Sequence, residues 1–239
     1  MTPTYNEAEN IAKWVERARQ ALPGASLLVI DDSSPDGTAA VAEVACELAG
    51  NAQVVVRPEK NGLGSAYRHA FDLALQSGAG YIVHMDADLS HDPSALPSMV
   101  AALDGGAEMV IGSRYVPGGA TQDWPLHRRL LSRWGNRYTA AVVGLRISDV
   151  TSGYRAYTAD AVKRIDPAGT EADGYAFLTE LAVRAQDLSL SIAEVPIVFR
   201  DRTYGSSKMS MRIIVESMLL VTRWGVKRRF GRGRVPSTR

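Results

Sequence analysis

The stretch YIVHMDADLSHDP, residues 81–93, begins as something built to be buried and ends in two aspartates with only an alanine between them. Tyr81, Ile82, Val83 and Met85 make a short, largely apolar run with aromatic and β-branched members, which predicts an inner strand covered on both faces. Asp86 and Asp88 fall where that strand stops. Two carboxylates so close repel each other and lose hydration at a sheet edge, so they need a cation, a ring of hydrogen-bond donors or a proton. A bound divalent metal is the simplest remedy; an ordinary Asp-rich strand-to-helix loop is the competing reading. Asp92-Pro93 reads as the N-cap and first-turn proline of the next helix.

The same pattern repeats on either side. Strand-like runs at 26–30, 53–56, 81–85 and 108–113 alternate with helical runs near 7–22, 38–49, 64–77 and 94–104. This predicts an α/β fold with a mostly parallel central sheet flanked by helices. The second half is less regular, with helices around 125–144 and 175–187, a strand at 191–199 and a final helix. Ligands of such sheets collect outside the carboxyl ends of the strands. There the chain places DDSSPDGT, RPEKNGLGSA and DADLSHDP. Asp31 and Asp32 suit ribose hydroxyls or a base N–H, and Lys60 with Asn61-Gly62-Leu63-Gly64 suits phosphate. The single G-x-G lacks the third glycine of a dinucleotide fingerprint and does not follow the first strand, which argues against a dehydrogenase.

Composition sets the frame. The 239 residues, 46% hydrophobic and 22% charged, suffice for one α/β domain over 1–210, followed by a helix over 211–230 and a disordered basic tail over 231–239. Cys46 is the only cysteine, which excludes an intrachain disulfide and a thiolate metal cluster; its alanine-rich surroundings predict a packed helix position. A reducing, cytoplasmic setting is expected. No apolar run approaches the ~20 residues a spanning helix needs, and no signal peptide is read at the N-terminus. Membrane contact is therefore expected to be peripheral, on the inner face. From Arg223 onward there are seven Lys or Arg and no acid, so residues 1–222 carry a net −6 against an overall +1. Ile213, Ile214, Met218, Leu219, Val221 and Trp224 fit one side of a helix that ends in Lys227, Arg228 and Arg229. Such a basic amphipathic end predicts contact with an anionic membrane, or equally a helix docked on the core with a solvated tail. No nucleic-acid partner is expected.

The motifs PTYNE (3–7), IDDSSPDGT (30–38), KNGLGSAY (60–67), MDADLSHDP (85–93), GSRY (112–115), TSGYRAY (151–157), GYAF (174–177), EVPIVF (194–199) and RTYGSSKM (202–209) occur together and in order. In this the chain resembles the dolichol-phosphate mannose synthases, polyprenyl-phosphate mannosyltransferases of the inverting GT-A family that includes cellulose and chitin synthases. The resemblance spans residues 3 to about 222. It implies a GT-A (Rossmann-like nucleotide-diphospho-sugar transferase) fold and a donor site for GDP-mannose. The D-x-D segment would hold Mg²⁺ or Mn²⁺ against the donor diphosphate, with Asp86 and Ala87 contacting donor and Asp88 as the principal ligand. Relatives often carry a glutamine ligand where this chain has Ser90, whose shorter hydroxyl fits a water bridge better than direct coordination. Pro3, Tyr5, Glu7, Ile30 and Asp32 would surround the guanosine. Arg114, Arg202 and Lys208 match phosphate-binding positions, and Arg128 is the candidate for a fourth. Asp149 and Glu180 are read either as contacts to sugar hydroxyls or as a turn residue and a helix-surface residue.

The implied acceptor is a polyprenyl monophosphate, the implied product polyprenyl β-D-mannosyl phosphate, and a separate membrane-anchoring subunit is a further implied partner. Transfer of glucose from UDP-glucose, and a non-catalytic sugar-nucleotide-binding subunit, are the alternatives. One departure stands out. Relatives carry an apolar first strand before PTYNE, whereas only Met1 and Thr2 precede Pro3 here, so the natural chain is expected either to start upstream or to compensate for an absent central strand.

Overall fold

A computed structural model describes residues 1–201 and 211–230. The first unit runs β1 (Thr2–Thr4), α1 (Ala8–Ala21), β2 (Leu27–Asp31), α2 (Thr38–Ala49) and β3 (Ala52–Val56), with the strands parallel in the order β1-β2-β3. Next come α3 (Leu63–Gln76), β4 (Tyr81–His84), α4 (Leu96–Asp104), β5 (Met109–Ser113), β6 (Ala120–Thr121) and α5 (Leu126–Val143). The chain then passes through β7 (Arg155–Thr158), α6 (Ala159–Ile165), α7 (Tyr175–Asp187), β8 (Ile192–Pro196), β9 (Val198–Phe199) and α8 (Met211–Phe230). A second sheet has the order β4-β7-β5-β8, antiparallel at β7 and parallel at β5-β8, and β6 pairs with β9.

Met1 joins the two sheets. Its amino group donates to the Val83 carbonyl at 2.6 Å and its carbonyl accepts from Met85 N–H at 3.4 Å, the alternation of a parallel pair. The expected gap before PTYNE is thus narrower than the sequence suggests. Thr2–Thr4 form a short strand in register with Val29–Asp31, and β4 finds backbone partners on that side. The carboxyl ends of β1, β2, β4 and β5 consequently lie along one edge, and the loops carrying Tyr5, Asp32, Asp86 and Arg114 leave from it.

The helices cover this sheet as their periodicity requires. On α1, Ile11, Trp14, Val15 and Ala18 recur at spacings of three and four and are buried, in one cluster with Val29, Met99 and Val110. Cys46 is buried in that cluster, as expected. A second cluster joins Tyr67, Phe71, Tyr157 and Phe177 from α3, β7 and α7. Gly64 is needed where α3 begins, because a Cβ there would lie 3.1 Å from the Ala172 carbonyl oxygen and 2.7 Å from an Asp173 carboxylate oxygen. The KNGLG loop is thereby pressed against the segment that leads into α7.

Three expectations need correction. Residues 81–84 do form a strand, but Tyr81 is exposed beside Asp104 rather than covered on both faces. The strand expected over 191–199 is two strands in separate sheets, with buried Ile197 between them. An unexpected strand, β7, lies between β4 and β5. It begins at Arg155, fully buried because its guanidinium donates to the carbonyls of Ser152, Val150 and Leu178 at 2.5–2.9 Å.

Candidate active site

At the outer end of β1 and β2, Tyr5 lies under Lys60, whose Nζ is 3.7 Å from the ring centroid. Glu7 caps the entry to α1, accepting from Asn10 Nδ2 at 2.9 Å, while its N–H donates to Thr38 Oγ1. Asp31 and Asp32 part company. Asp31 accepts from Thr4 Oγ1, Ser34 N–H and Ser34 Oγ, which closes its own turn and removes it from ligand contact. Asp32 lies 3.2 Å from Arg57 Nε, and both side chains are nearly buried. Burial pushes the Asp32 carboxyl above its ordinary range, against the opposing charge of Arg57. Arg57 Nη1 is buried without a hydrogen-bond partner among the described residues, and Asp32 Oδ1 has only its ion pair with Arg57 Nε and no hydrogen bond. Buried polar atoms are normally paired, so this corner has the character of a place where another polar molecule binds. Arg57, the first residue after β3, was not singled out from the sequence. Pro3 and Ile30 are register partners, and the Ile30 side chain is fully buried with Ala66 and Ala70. Only its main chain is available to a nucleotide.

At the end of β4 the two aspartates are held differently. Asp88 is buried, and its Oδ1 accepts from Ser90 N–H at 3.0 Å and Ser90 Oγ at 2.6 Å, an arrangement made by Leu89 in the left-handed region at φ 60°. Ser90 is therefore turned towards Asp88, which it orients. Asp86 is 37% exposed, with Oδ2 3.8 Å from His91 Nδ1. Gly153 makes room for it, since a Cβ there would stand 3.1 Å from Asp86 Oδ1. Ala87 is buried in the core and offers only backbone. The expected cap at Asp92 is present, accepting from Ser94 N–H. His91 packs between Tyr154 and Phe199, and burial pushes its imidazole well below the usual range despite the pull of Asp88.

Arg114, at the end of β5, is the best-anchored cation of the site. Asp149, fully buried, accepts from Arg114 N–H at 2.9 Å, Nε at 2.7 Å and Nη2 at 2.6 Å, and Thr151 Oγ1 accepts from Nη2 at 2.8 Å. Burial disfavours the charged guanidinium, but the Asp149 bonds more than reverse this and raise its pKa. Glu194 from β8 accepts from Ser148 and Asp149 N–H, and Asn136 from α5 holds Thr151 through both amide atoms. The Arg114 charge acts on Asp86 and His91, so carboxylates and cation share one neighbourhood. The readings of Asp149 are thus replaced: it is the counter-ion of Arg114. Glu180 is neither a surface residue nor free for a sugar, because it is buried, pairs with Arg184 at 3.0 Å and accepts from Glu171 and Ala172 N–H.

Arg128 stands further out. It lies 4.0 Å over the Trp124 ring and 2.7 Å from Asp201, which also accepts from Trp124 Nε1. Arg202 and Lys208 lie outside the described residues. Among those described, no group of three or more His, Cys, Asp or Glu could hold a metal by itself. Asp86 and Asp88 are oxygen donors of the kind that would suit a hard divalent ion.

Residues 1–166 match the sequence family described as Glycosyl transferase family 2. The chain belongs to that family. The GT-A fold follows the same way: glucosyl-3-phosphoglycerate synthase from Mycobacterium tuberculosis superposes with TM-score 0.68 at 19% identity over 93% of this chain and 78% of that one. A complex of that synthase with Mn²⁺, UDP and phosphoglyceric acid superposes with TM-score 0.67 at 18% identity, covering 92% and 76%. Within family 2, the chain is 44% identical to the polyprenol monophosphomannose synthase of Mycolicibacterium smegmatis, covering 97% of this chain and 88% of that one. It is 42% identical to the undecaprenyl-phosphate mannosyltransferase of Micrococcus luteus, covering 95% and 93%. The resemblance read from the motifs is borne out by these two relatives. In this family 2 glycosyltransferase, the edge built by β1, β2, β4 and β5 is the candidate active site.

Proposed function

We propose that the enzyme transfers mannose from GDP-mannose to a polyprenyl monophosphate, with inversion at C1, giving polyprenyl β-D-mannosyl phosphate and GDP. The names of the two relatives support polyprenyl-phosphate mannosyl transfer as the reaction class. What carries the reading in this chain is the juxtaposition of two orientable carboxylates, Asp86 and Asp88, with a buried arginine whose position is fixed by Asp149. Such a site binds opposite charges side by side: a cation on the carboxylates and a phosphate on the arginine.

The ion-paired Asp32 and Arg57, with Arg57 Nη1 left without a hydrogen bond, face the nucleoside, and Tyr5 and Lys60 close that corner. Asp88, oriented by Ser90, and Asp86 would hold Mg²⁺ or Mn²⁺, which when bound neutralises charge on the donor diphosphate. The acceptor phosphate is already ionised near neutral pH, so no strong general base is required. The work of the protein is to hold that oxygen in line with the sugar C1, and Arg114, Arg128, Arg202 and Lys208 are the cations assigned to it. Asp149, Thr151 and Asn136 keep Arg114 in place while it does so. The enzyme acts at the inner face of the membrane.

Replacement Asp88→Ala tests the reading, because it removes ion binding without deleting core volume. Transfer is expected to fall by at least about 10²-fold with the fold retained, the scale for losing one group that stabilises developing charge. Metal-dependent transfer near the wild-type rate would refute the assignment.

A further inference from the structure

The outer surface of α5 carries a pattern that the active site does not use. Leu126, Leu130, Leu131 and Trp134 are 68%, 57%, 48% and 53% exposed. Leu126, Leu130 and Trp134 recur every four residues and so form one stripe, about 12 Å long at 1.5 Å per residue. Arg129, Arg133 and Arg137, all exposed, recur at the same spacing and border it. The helix has four arginines and no acid, in a body that is otherwise acidic. Scattered apolar side chains on a surface need no explanation, but a contiguous stripe with a cationic border does.

The neighbouring helix α8, whose sequence fits a membrane or the protein core equally, is docked along one side. Val221 is buried, Trp224 packs against the core, and Arg228 makes a bidentate pair with Asp187 at 2.6 and 2.7 Å. Tyr138 Oη and Thr222 Oγ1 are 2.6 Å apart, and Gly225 lies directly on Val142. Two of the groups expected to meet lipid, Trp224 and Arg228, thus face the protein, whereas Leu219, Lys227 and Arg229 are exposed; the side chains of Ile213 and Ile214 lie outside the described residues. α8 is a buttress that holds α5 with its stripe outward.

We propose that α5 is the element that seats the protein on an anionic bilayer. Leu126, Leu130, Leu131 and Trp134 enter the boundary between headgroups and acyl chains, and Arg129, Arg133 and Arg137 meet lipid phosphates. The choice of a bilayer as occupant rests on the polyprenyl-phosphate reading. Arg128, in the first turn of α5, stacks on Trp124, and the Arg114 guanidinium is 5.8 Å from that same ring. The cations assigned to the acceptor phosphate therefore lie beside the start of the stripe, where a lipid-borne phosphate would arrive.

Sedimentation of the full chain with vesicles of phosphatidylcholine, alone or mixed with phosphatidylglycerol, tests this. The full chain should pellet with the anionic vesicles and much less with the neutral ones. Leu130→Gln with Trp134→Gln should weaken binding at least tenfold. Arg129→Gln with Arg133→Gln and Arg137→Gln should weaken it about a hundredfold at low salt, at about fivefold per arginine. Lys227→Gln with Arg229→Gln on α8 should have the smaller effect. Transfer to a short-chain, water-soluble polyprenyl phosphate should be unchanged in the Leu130/Trp134 variant, which also reports that the fold is intact. Failure of the full chain to bind anionic vesicles, equal binding by the Leu130/Trp134 variant, or dominance of the α8 substitutions would each overturn the proposal. So would loss of a dimer or of a protein complex in the α5 variants without change in vesicle binding. If the full chain binds vesicles as described but never transfers mannose to the soluble acceptor, the functional reading fails and the seating stands.

Discussion

Replacing Asp149 by asparagine should destabilise the enzyme and loosen its grip on the acceptor together. Asp149 is fully buried and Arg114 is 7% exposed, and three hydrogen bonds of 2.6–2.9 Å join them. Removing one partner of a buried pair leaves the other charge uncompensated, at a cost of about 3–5 kcal/mol. Asparagine keeps one carbonyl acceptor and the shape of the side chain, so Asp149→Asn should cost about 2–3 kcal/mol. That is a large fraction of the roughly 5–15 kcal/mol available to a domain, which makes asparagine more measurable than alanine. Urea unfolding followed by circular dichroism should show a midpoint lower by about 1 M at an unchanged slope, taking about 2–3 kcal/mol/M for that slope. With the guanidinium released, KM for the polyprenyl phosphate should rise about tenfold or more, while GDP affinity changes less. A loss of stability below about 0.5 kcal/mol with unaltered KM would show that Asp149 does not hold Arg114 in place.

Gly153→Ala should push the Asp86 carboxylate aside, because the added methyl would lie 3.1 and 3.2 Å from its oxygens. Transfer should drop about tenfold or more while the melting temperature moves little; a large fall in melting temperature with full activity would contradict this. Gly225→Ala should force α8 off α5, since its methyl would sit 2.5 Å from the Val142 carbonyl oxygen, and cost about 1–3 kcal/mol. Wild-type thermal stability in that variant would mean that the two helices are not packed as described. Asp36 joins the starts of α1 and α2, accepting from Ala8 N–H, Thr38 N–H and Thr38 Oγ1. Partial burial tends to raise its pKa, but these bonds prevail and depress it. The stabilisation is therefore present above the ordinary carboxylate pKa and is lost as pH falls through the depressed one. The stability difference between wild type and Asp36→Asn should shrink in acid, and a difference that widens there would contradict the assignment.

The parts of the fold legible in the sequence were those with a local signal. Leu27–Asp31 and Met109–Ser113 are apolar runs long enough to read as buried strands, and the helices between them show their period. Asp92-Pro93 announces its cap, and the D-x-D pair announces a cation. Arg155 hid β7, because a charged residue opening a strand of four residues looks like a turn until its three carbonyl partners are known. Asp149 was noticed for its chemistry and not for its partner, since its bond to Arg114 crosses 35 residues and no periodicity encodes it. Glu180 fits a helix surface by pattern, and only the backbone amides of Glu171 and Ala172 explain its burial. For α8 the apolar side fits lipid or protein equally well by pattern, and only tertiary contacts such as Arg228 to Asp187 show which part of it is docked on the protein.

The central claim is mannosyl transfer to a lipid phosphate, and the most direct measurement is incubation of the purified enzyme with GDP-mannose, Mg²⁺ or Mn²⁺ and a short polyprenyl monophosphate. Product is followed by mass spectrometry, and its anomeric configuration by NMR. The expected product is a β-linked mannosyl phosphodiester that forms only with the divalent ion present and is not formed by Asp88→Ala. Glucosyl transfer from UDP-glucose in place of mannosyl transfer, or binding of sugar nucleotide without turnover under any metal, would contradict it.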